Sequence, residues 1–99
     1  LSHIRKNIYK TVDIDSLAAI SCLSKDHFIR LFKKEVGTTP LQYINQKKIE
    51  KAQLILITED IPVKNIAYLL AYEDHSYFNR LFKKITDVTP QQYRELYKK

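Results

Sequence analysis

The residue pattern predicts an all-α fold of about seven helices, in which one helical unit occurs twice. The segment 27–43, HFIRLFKKEVGTTPLQY, returns fifty residues later as the segment 77–93, YFNRLFKKITDVTPQQY, with ten identical residues at matching places. The chain of 99 residues contains only one Gly and three Pro, so helix breakers are few. Its apolar residues recur at helical spacing.

The first part of the chain predicts two helices and a tight turn. Residues 1–10 carry an apolar stripe that favours a first helix, and Asp13 is a suitable N-cap for a second helix that ends near Ser21. The segment 21–24, SCLS, then breaks the pattern before Ser24 caps the next helix. Helix, tight turn and helix form a helix-turn-helix. The residues expected to face inward are Leu1, Ile4, Ile8, Leu17, Ala18 and Ile20.

Each copy of the repeat predicts one amphipathic helix at about 100° per residue. The inward side is predicted to carry Phe28, Leu31, Phe32 and the stem of Glu35 in the first copy, and Phe78, Leu81, Phe82 and Ile85 in the second. The outer side carries Asp26, Ile29, Arg30 and Lys33, and in the second copy Ser76, Asn79, Arg80 and Lys83. An ordinary solvated helix would require only polar residues there, whereas both copies have Arg and Lys at the same places.

Start and stop signals place a long helix between the two copies. Gly37 is expected to end the first repeat helix, and Thr39 with Pro40 to start the next as N-cap and first-turn residue. No breaker follows until about Ile57, which predicts roughly 17 helical residues, or ~26 Å. This helix would be the longest element.

The second copy has similar signals. The segment 58–62 interrupts the long helix, and a short helix is predicted over 63–70 with Ile66, Ala67 and Leu70 inward. Asp74 or a neighbour is expected to cap the second repeat helix. Thr89 and Pro90 start a closing helix over 90–98.

Charge and composition narrow the classes of function. Seventeen Lys and Arg against eleven Asp and Glu give a formal net charge of +6, which is typical of proteins that meet polyanions. The single cysteine, Cys22, excludes an internal disulfide, and His3, His27 and His75 lack the spacing of zinc ligands. We therefore expect neither a metal nor a cofactor.

Two further features concern location. No apolar run approaches the ~20 residues that cross a bilayer, and no export signal is visible, so we expect the cytoplasm and no membrane partner. The sequence lacks methionine even at position 1, which predicts a module cut from a longer chain.

The residues quoted above resemble a known family. The segment 66–94, IAYLLAYEDHSYFNRLFKKITDVTPQQYR, resembles the signature region of the AraC/XylS family of bacterial transcription regulators, and the first half resembles its weaker upstream copy. The resemblance covers essentially the whole chain. It implies two helix-turn-helix subdomains, 1–38 and 58–99, joined by a connecting helix over 39–57. It also implies a separate effector or receiver region, RNA polymerase as a partner of the parent protein, and a place at the bacterial nucleoid.

The resemblance also implies site residues. By motif position, the base-contacting residues of the family fall on Asp26, Ile29 and Arg30 in the first unit, and on His75, Ser76, Asn79 and Arg80 in the second. The chain departs from the family at Ala71 and Asp87, where Gly is common, and it has Cys22 in the first turn. These turns are expected to differ somewhat in shape. Lys48 stands where the family often has Arg, and we assign it to phosphate.

Sequence-specific binding of double-stranded DNA is the leading interpretation. Arg30 and Arg80 suit guanine, Asn79 suits adenine, Ile29 suits a thymine methyl group, and Asp26 suits cytosine or a helix cap. The remaining lysines of the outer faces are assigned to phosphate; they are Lys33, Lys34, Lys83 and Lys84. Because the two outer faces differ, one chain is expected to read adjacent major-groove segments of an asymmetric site.

Other classes of function fit the sequence less well. A basic helical module that docks on a protein or membrane surface is the main alternative, but it does not require Arg and Asn at repeated places. An enzyme is disfavoured because the sequence contains no triad-like arrangement, phosphate loop or carboxylate pair. Single-stranded nucleic acid is disfavoured because most aromatic residues lie on apolar stripes, where they cannot stack on bases.

Overall fold

The computed structural model describes residues 18–19 and 23–98, and within them the fold is all-helical, without a strand. Ala18 and Ala19 are helical, but the first predicted helix and the rest of the second, with Asp13 and Cys22, lie outside the described residues. Five complete helices follow: α1 (Lys25–Val36), α2 (Pro40–Thr58), α3 (Val63–Leu69), α4 (His75–Thr86) and α5 (Pro90–Tyr97). The total of about seven helices stays a prediction.

The two repeat helices, α1 and α4, begin and end in matching ways. The Ser24 hydroxyl accepts a hydrogen bond from the His27 N–H, and the Asp74 carboxylate accepts one from the Ser76 N–H. At the other end, Gly37 has φ 96° and Asp87 has φ 72°, and each donates its N–H to the carbonyl four residues earlier. Asp87 thus occupies the left-handed position that Gly37 occupies in the first copy.

The helices that follow each repeat helix start with the same capping box. The Thr39 hydroxyl accepts from the Gln42 N–H, and the Gln42 side chain accepts from the Thr39 N–H. Thr89 and Gln92 make the same pair of bonds at α5. These reciprocal bonds satisfy donors that a helix start would leave unpaired, so both predicted starts are confirmed.

The aromatic packing is also duplicated. In the first copy, the Phe32 ring lies 5.9 Å from Phe28 and 5.7 Å from Tyr43, in an edge-on contact with the latter. In the second copy, the Phe82 ring lies 6.0 Å from Phe78 and 5.7 Å from the edge-on Tyr93. The identical residues of the repeat therefore serve to pack each repeat helix against the helix that follows it.

The larger buried cluster lies where the C-terminal half of α2 meets α3, α4 and α5. It consists of Ile49, Ala52, Ile55, Leu56, Ile66, Ala67, Leu70, Tyr72, Phe78 and Phe82. A separate cluster contains Phe32 and Ile44, with Phe28, Val36 and Tyr43 packed against it. The predicted inward residues of α3 are all fully buried, and α4 is attached to the core by its two phenylalanines.

The predicted inward side was too wide at three positions, one of which is the exposed Glu35. Leu31 and Ile85 are 41% and 42% exposed, although both were expected to face inward. Ile85 lies beside an open groove between α2 and the last two helices. The buried side of each repeat helix is centred on the phenylalanines instead.

Arg94 joins the C-terminal helix to the end of α2. Its Nε donates to the Leu56 carbonyl at 3.0 Å, and its Nη2 donates to the carbonyls of Glu59 at 3.1 Å and Ile61 at 2.6 Å. Lys98 adds bonds to the Glu59 carbonyl and to Asp60, and this contact lowers the pKa of the Asp60 carboxyl. The segment after α2 is thus held by one cation of α5 and by the residue that caps the C-terminal end of α5. Among the described helices, none is long and apolar enough to cross a membrane.

Candidate nucleic-acid interface

The outer side of α1 presents the predicted residues of the first unit together. Asp26 and Arg30 are exposed and Ile29 is half-buried, and the three line one shallow depression on the surface. Ser24, not Asp26, caps this helix. The Asp26 carboxylate lies in the first turn, where a negative charge interacts favourably with the helix dipole.

The outer side of α4 presents the predicted residues of the second unit. Ser76 and Arg80 are exposed, whereas His75 and Asn79 are half-buried. The Asn79 Oδ1 atom is buried, and no hydrogen bond to it is made within the described part of the chain. A buried amide oxygen without a donor is costly, so this side chain has an unmet capacity to accept.

Four of the five predicted phosphate contacts are exposed cations at equivalent places. Lys33 and Lys34 lie in the last turn of α1, and Lys83 and Lys84 lie in the last turn of α4. Both positions place positive charge at the negative end of a helix dipole, which stabilises the helix without burying the charge. The ammonium groups therefore remain available to an anionic partner.

The fifth, Lys48, does not fit a phosphate contact because it is only 5% exposed. Its ammonium lies 4.9 Å from the centroid of the Tyr72 ring, and desolvation lowers its pKa. The spacing of the sequence contained this signal, since Lys48 stands four residues after Ile44 and four before Ala52, both of which are buried.

Tyr72 was not predicted as a functional residue, yet it lies at the junction of α2 and α4. Its hydroxyl donates to Asn45 Oδ1 at 2.8 Å, and its ring lies 5.4 Å from Phe78. Burial, and secondarily the neighbouring Tyr77, raises the pKa of the Tyr72 phenol well above its ordinary value. The phenol is therefore neutral and a firm hydrogen-bond donor.

The turn before α4 has a left-handed residue that is not glycine. Ala71 has φ 65°, its N–H donates to the Tyr68 carbonyl, and the Tyr72 N–H donates to the Ala67 carbonyl at 3.0 Å. These two bonds form the Schellman arrangement that ends many helices. A bond of the same span, from the Leu23 N–H to the Ala18 carbonyl at 3.0 Å, occurs in the first unit.

The arrangement can present two basic, hydrogen-bonding helices to a polyanion. Within residues 18–19 and 23–98, no group of His, Cys, Asp and Glu is placed to hold a metal ion. The chemistry available at these faces is that of exposed Arg, Lys and Ser side chains, together with the half-buried Asn79.

Comparison with known proteins identifies a helix-turn-helix family model and several regulatory proteins that are similar to this chain. A family model described as a helix-turn-helix domain matches residues 17–96. The MmsAB operon regulatory protein of Pseudomonas aeruginosa is 34% identical over 94 residues, which is 95% of this chain and 31% of that protein. The chain spans between 24% and 38% of the length of the curated relatives it matches.

Solved structures show the same fold. The C-terminal domain of the two-component response regulator YesN from Fusobacterium nucleatum has a TM-score of 0.90 and 33% identity, with 94% of this chain and 91% of that one covered. The DNA-binding domain of AdpA, solved with a target DNA, has a TM-score of 0.90 at 24% identity, with 96% and 86% covered. These relatives are regulators rather than enzymes. The chain belongs to the AraC/XylS family of transcription regulators, and it corresponds to the helix-turn-helix domain of that family.

Proposed function

We propose that this domain binds double-stranded DNA sequence-specifically, with α1 and α4 reading adjacent major-groove segments of an asymmetric site. The observation that carries the proposal is the duplicated outer face: Arg30 and Arg80 are exposed at matching positions, each followed by an exposed lysine pair. An α-helix fits the major groove, and arginine is the side chain most often used there to read guanine. AdpA, which shares this fold, was solved with DNA bound.

Individual bases are assigned to the residues on the outer sides of α1 and α4. Arg30 and Arg80 pair with guanine, and Ile29 contacts a thymine methyl group. Asp26 accepts a hydrogen bond from cytosine. Its carboxylate is available for this contact because Ser24, and not Asp26, caps α1. Asn79 turns outward to pair with adenine, whose amino group supplies the donor that the Asn79 oxygen lacks. His75 and Ser76 are assigned to the bases nearest the start of α4.

The phosphate contacts are assigned to the exposed lysines that end each repeat helix, Lys33, Lys34, Lys83 and Lys84. Such contacts position the protein and carry no sequence information. Lys48 does not belong to this set, because the residue is 5% exposed and its ammonium lies 4.9 Å from the centroid of the Tyr72 ring.

The proposed organisation has a first helix-turn-helix subdomain over 1–38, a connection over 39–57 and a second subdomain over 58–99. Support comes from α2, whose 19 residues lie between the two repeat helices and contribute to both buried clusters. In the parent protein we place the domain beside an effector or receiver region, at the nucleoid in the cytoplasm, with RNA polymerase as a partner. The greater length of the curated relatives supports the presence of a further region in the parent protein.

Selection of binding sites from random duplex DNA tests the proposal. The expected result is an enriched site with two unlike halves. Enrichment of no sequence, or of a single short element, would contradict it.

Salt dependence separates the proposal from the alternative of a basic protein-docking module. Binding of four or more lysines to phosphate releases counterions, so affinity is expected to fall ~10²-fold or more between about 50 and 200 mM salt. Titration of the selected duplex at several salt concentrations measures this. An acidic protein surface that binds as tightly as DNA, with a flat salt dependence on DNA, would favour the docking module.

A further inference from the structure

We infer that Tyr72, held by Asn45 and Lys48, is a positioning residue that sets the direction of α4 relative to α2 and thereby the base preference of the second unit. These three residues are called the Tyr72 junction below. The inference rests on the proposed function for its DNA readout, but the geometry that it describes exists without DNA.

Tyr72 is attached to α2 by two contacts. Its hydroxyl donates to Asn45 Oδ1 at 2.8 Å, and the Lys48 ammonium lies 4.9 Å from the ring centroid. Asn45 and Lys48 are three residues apart on α2, so both project from the same side of that helix. The Tyr72 ring, 7% exposed, is thus fixed both at its tip and over its face.

Tyr72 also contacts the start of α4. The ring lies 6.1 Å from Tyr77 and 5.4 Å from Phe78, which both belong to the first turns of α4. Only two residues separate Tyr72 from the first residue of that helix. A shift of the ring would therefore move the turn that carries His75 and Ser76, the residues assigned to the nearest bases.

The Tyr72 junction combines a charged side chain with directional contacts. Lys48 is a buried cation whose pKa is lowered by desolvation, and such a charge costs stability relative to an apolar side chain of similar volume. Its contact with the ring and the Tyr72–Asn45 hydrogen bond are directional, unlike apolar packing. The junction therefore supplies a defined direction for α4 at a point that also contains the left-handed Ala71.

The first test needs no DNA. Nitroxide labels at Leu41→Cys on α2 and Lys83→Cys on α4, in a Cys22→Ser background, report the distance distribution between the two helices. Tyr72→Phe removes only the hydroxyl and is expected to broaden or shift this distribution. Tyr68→Phe removes a hydroxyl from a tyrosine that is 50% exposed on α3, and is expected to leave it unchanged. The inference would be overturned if the distance distribution of Tyr72→Phe matched those of Tyr68→Phe and of the unaltered chain, whether or not the chain binds DNA.

The second test uses selection from random duplex DNA. Tyr72→Phe is expected to lower the preference at the bases read by α4 by about threefold or more, the equivalent of one hydrogen bond, while the bases read by α1 change less than about twofold. Asn45→Leu, which removes the acceptor, should act like Tyr72→Phe. Asn45→Asp keeps an acceptor and should keep the relative base preferences, although its negative charge is expected to weaken the binding of every duplex.

Two results of this selection would overturn the inference. One is an unchanged profile in both Tyr72→Phe and Asn45→Leu. The other is an equal loss at both half-sites that follows the loss of thermal stability, since that would show a structural role only. If the unaltered chain enriches no duplex, the proposed function fails, and the distance measurement still decides the geometry of the junction.

Discussion

The left-handed conformation of Ala71 determines its contribution to stability. At φ 65° a Cβ atom is strained, whereas glycine adopts this conformation freely. Ala71→Gly is therefore expected to raise the free energy of unfolding by about 1 kcal/mol, or the melting temperature by about 4–8 °C. Thermal unfolding followed by circular dichroism measures the change.

A matched control lies at Ala19, which is exposed and helical. The same substitution there should lower stability by about 1 kcal/mol, because glycine is a poor helix former. Opposite signs for the two variants would identify backbone conformation as the cause. If Ala71→Gly is also destabilising, the packing of its methyl group outweighs the strain.

The guanidinium of Arg94 is expected to stabilise the fold more than any exposed cation does. It donates to three main-chain carbonyls around the end of α2, a geometry that a lysine ammonium cannot reproduce. Arg94→Lys should therefore cost roughly 2 kcal/mol in the free energy of unfolding, since bonds from charged donors are strong and carbonyls lose their partner. Urea titration with Arg80→Lys as the exposed control checks this, and an equal cost for both variants would argue against the assignment.

At the level of elements, helix ends were predicted well because they depend on neighbouring residues in the chain. Thr39 with Pro40, and Thr89 with Pro90, begin their helices as predicted, and Gly37 ends one. Side-chain environments were predicted less well because they depend on distant elements. Ile85, for example, lies beside an open groove between helices and is 42% exposed.

The candidate site shows the same division. The amphipathic pattern located the outer faces of α1 and α4, because periodicity reports which side of a helix faces the core. It did not reveal the burial of the Asn79 oxygen or the contact between Lys48 and Tyr72, which joins residues 24 positions apart. The Arg94 bonds span 33 to 38 residues and likewise required the tertiary structure.

The helix α4 is expected to separate base reading from phosphate binding along its length. Arg80→Ala should relax the preference at one base position and cost ~1–3 kcal/mol on the selected site. Lys84→Ala should weaken selected and random duplexes alike, because phosphate contacts carry no sequence information. Competition binding with both duplexes measures the ratio. If Arg80→Ala weakens both equally, Arg80 contacts phosphate instead.

At the level of the whole domain, the separation of α1 and α4 should fix the spacing of the two half-sites. The 19 residues of α2 correspond to about 28 Å of helix, and the chain is 46 Å long, compared with about 34 Å for one turn of DNA. We therefore expect one domain to reach two successive major-groove segments. An insertion of about five base pairs between the half-sites should abolish simultaneous contact, because it rotates them to opposite faces.

Footprinting of the single domain on spaced sites measures this effect. A ten-base-pair insertion serves as the control for rotation, since it restores the face but lengthens the distance. Tolerance of the half-turn insertion would show that the two units move independently, or that one of them contacts no bases.

The left-handed residues on either side of α4 also affect how the domain can evolve. Every alanine codon becomes a glycine codon by one base substitution, and so does every aspartate codon. Ala71 and Asp87 are therefore each a single mutation away from the residue that their backbone conformation favours. Populations of the parent gene passaged at rising temperature should acquire glycine at these two codons early, without alteration of the faces that distinguish one operator from another.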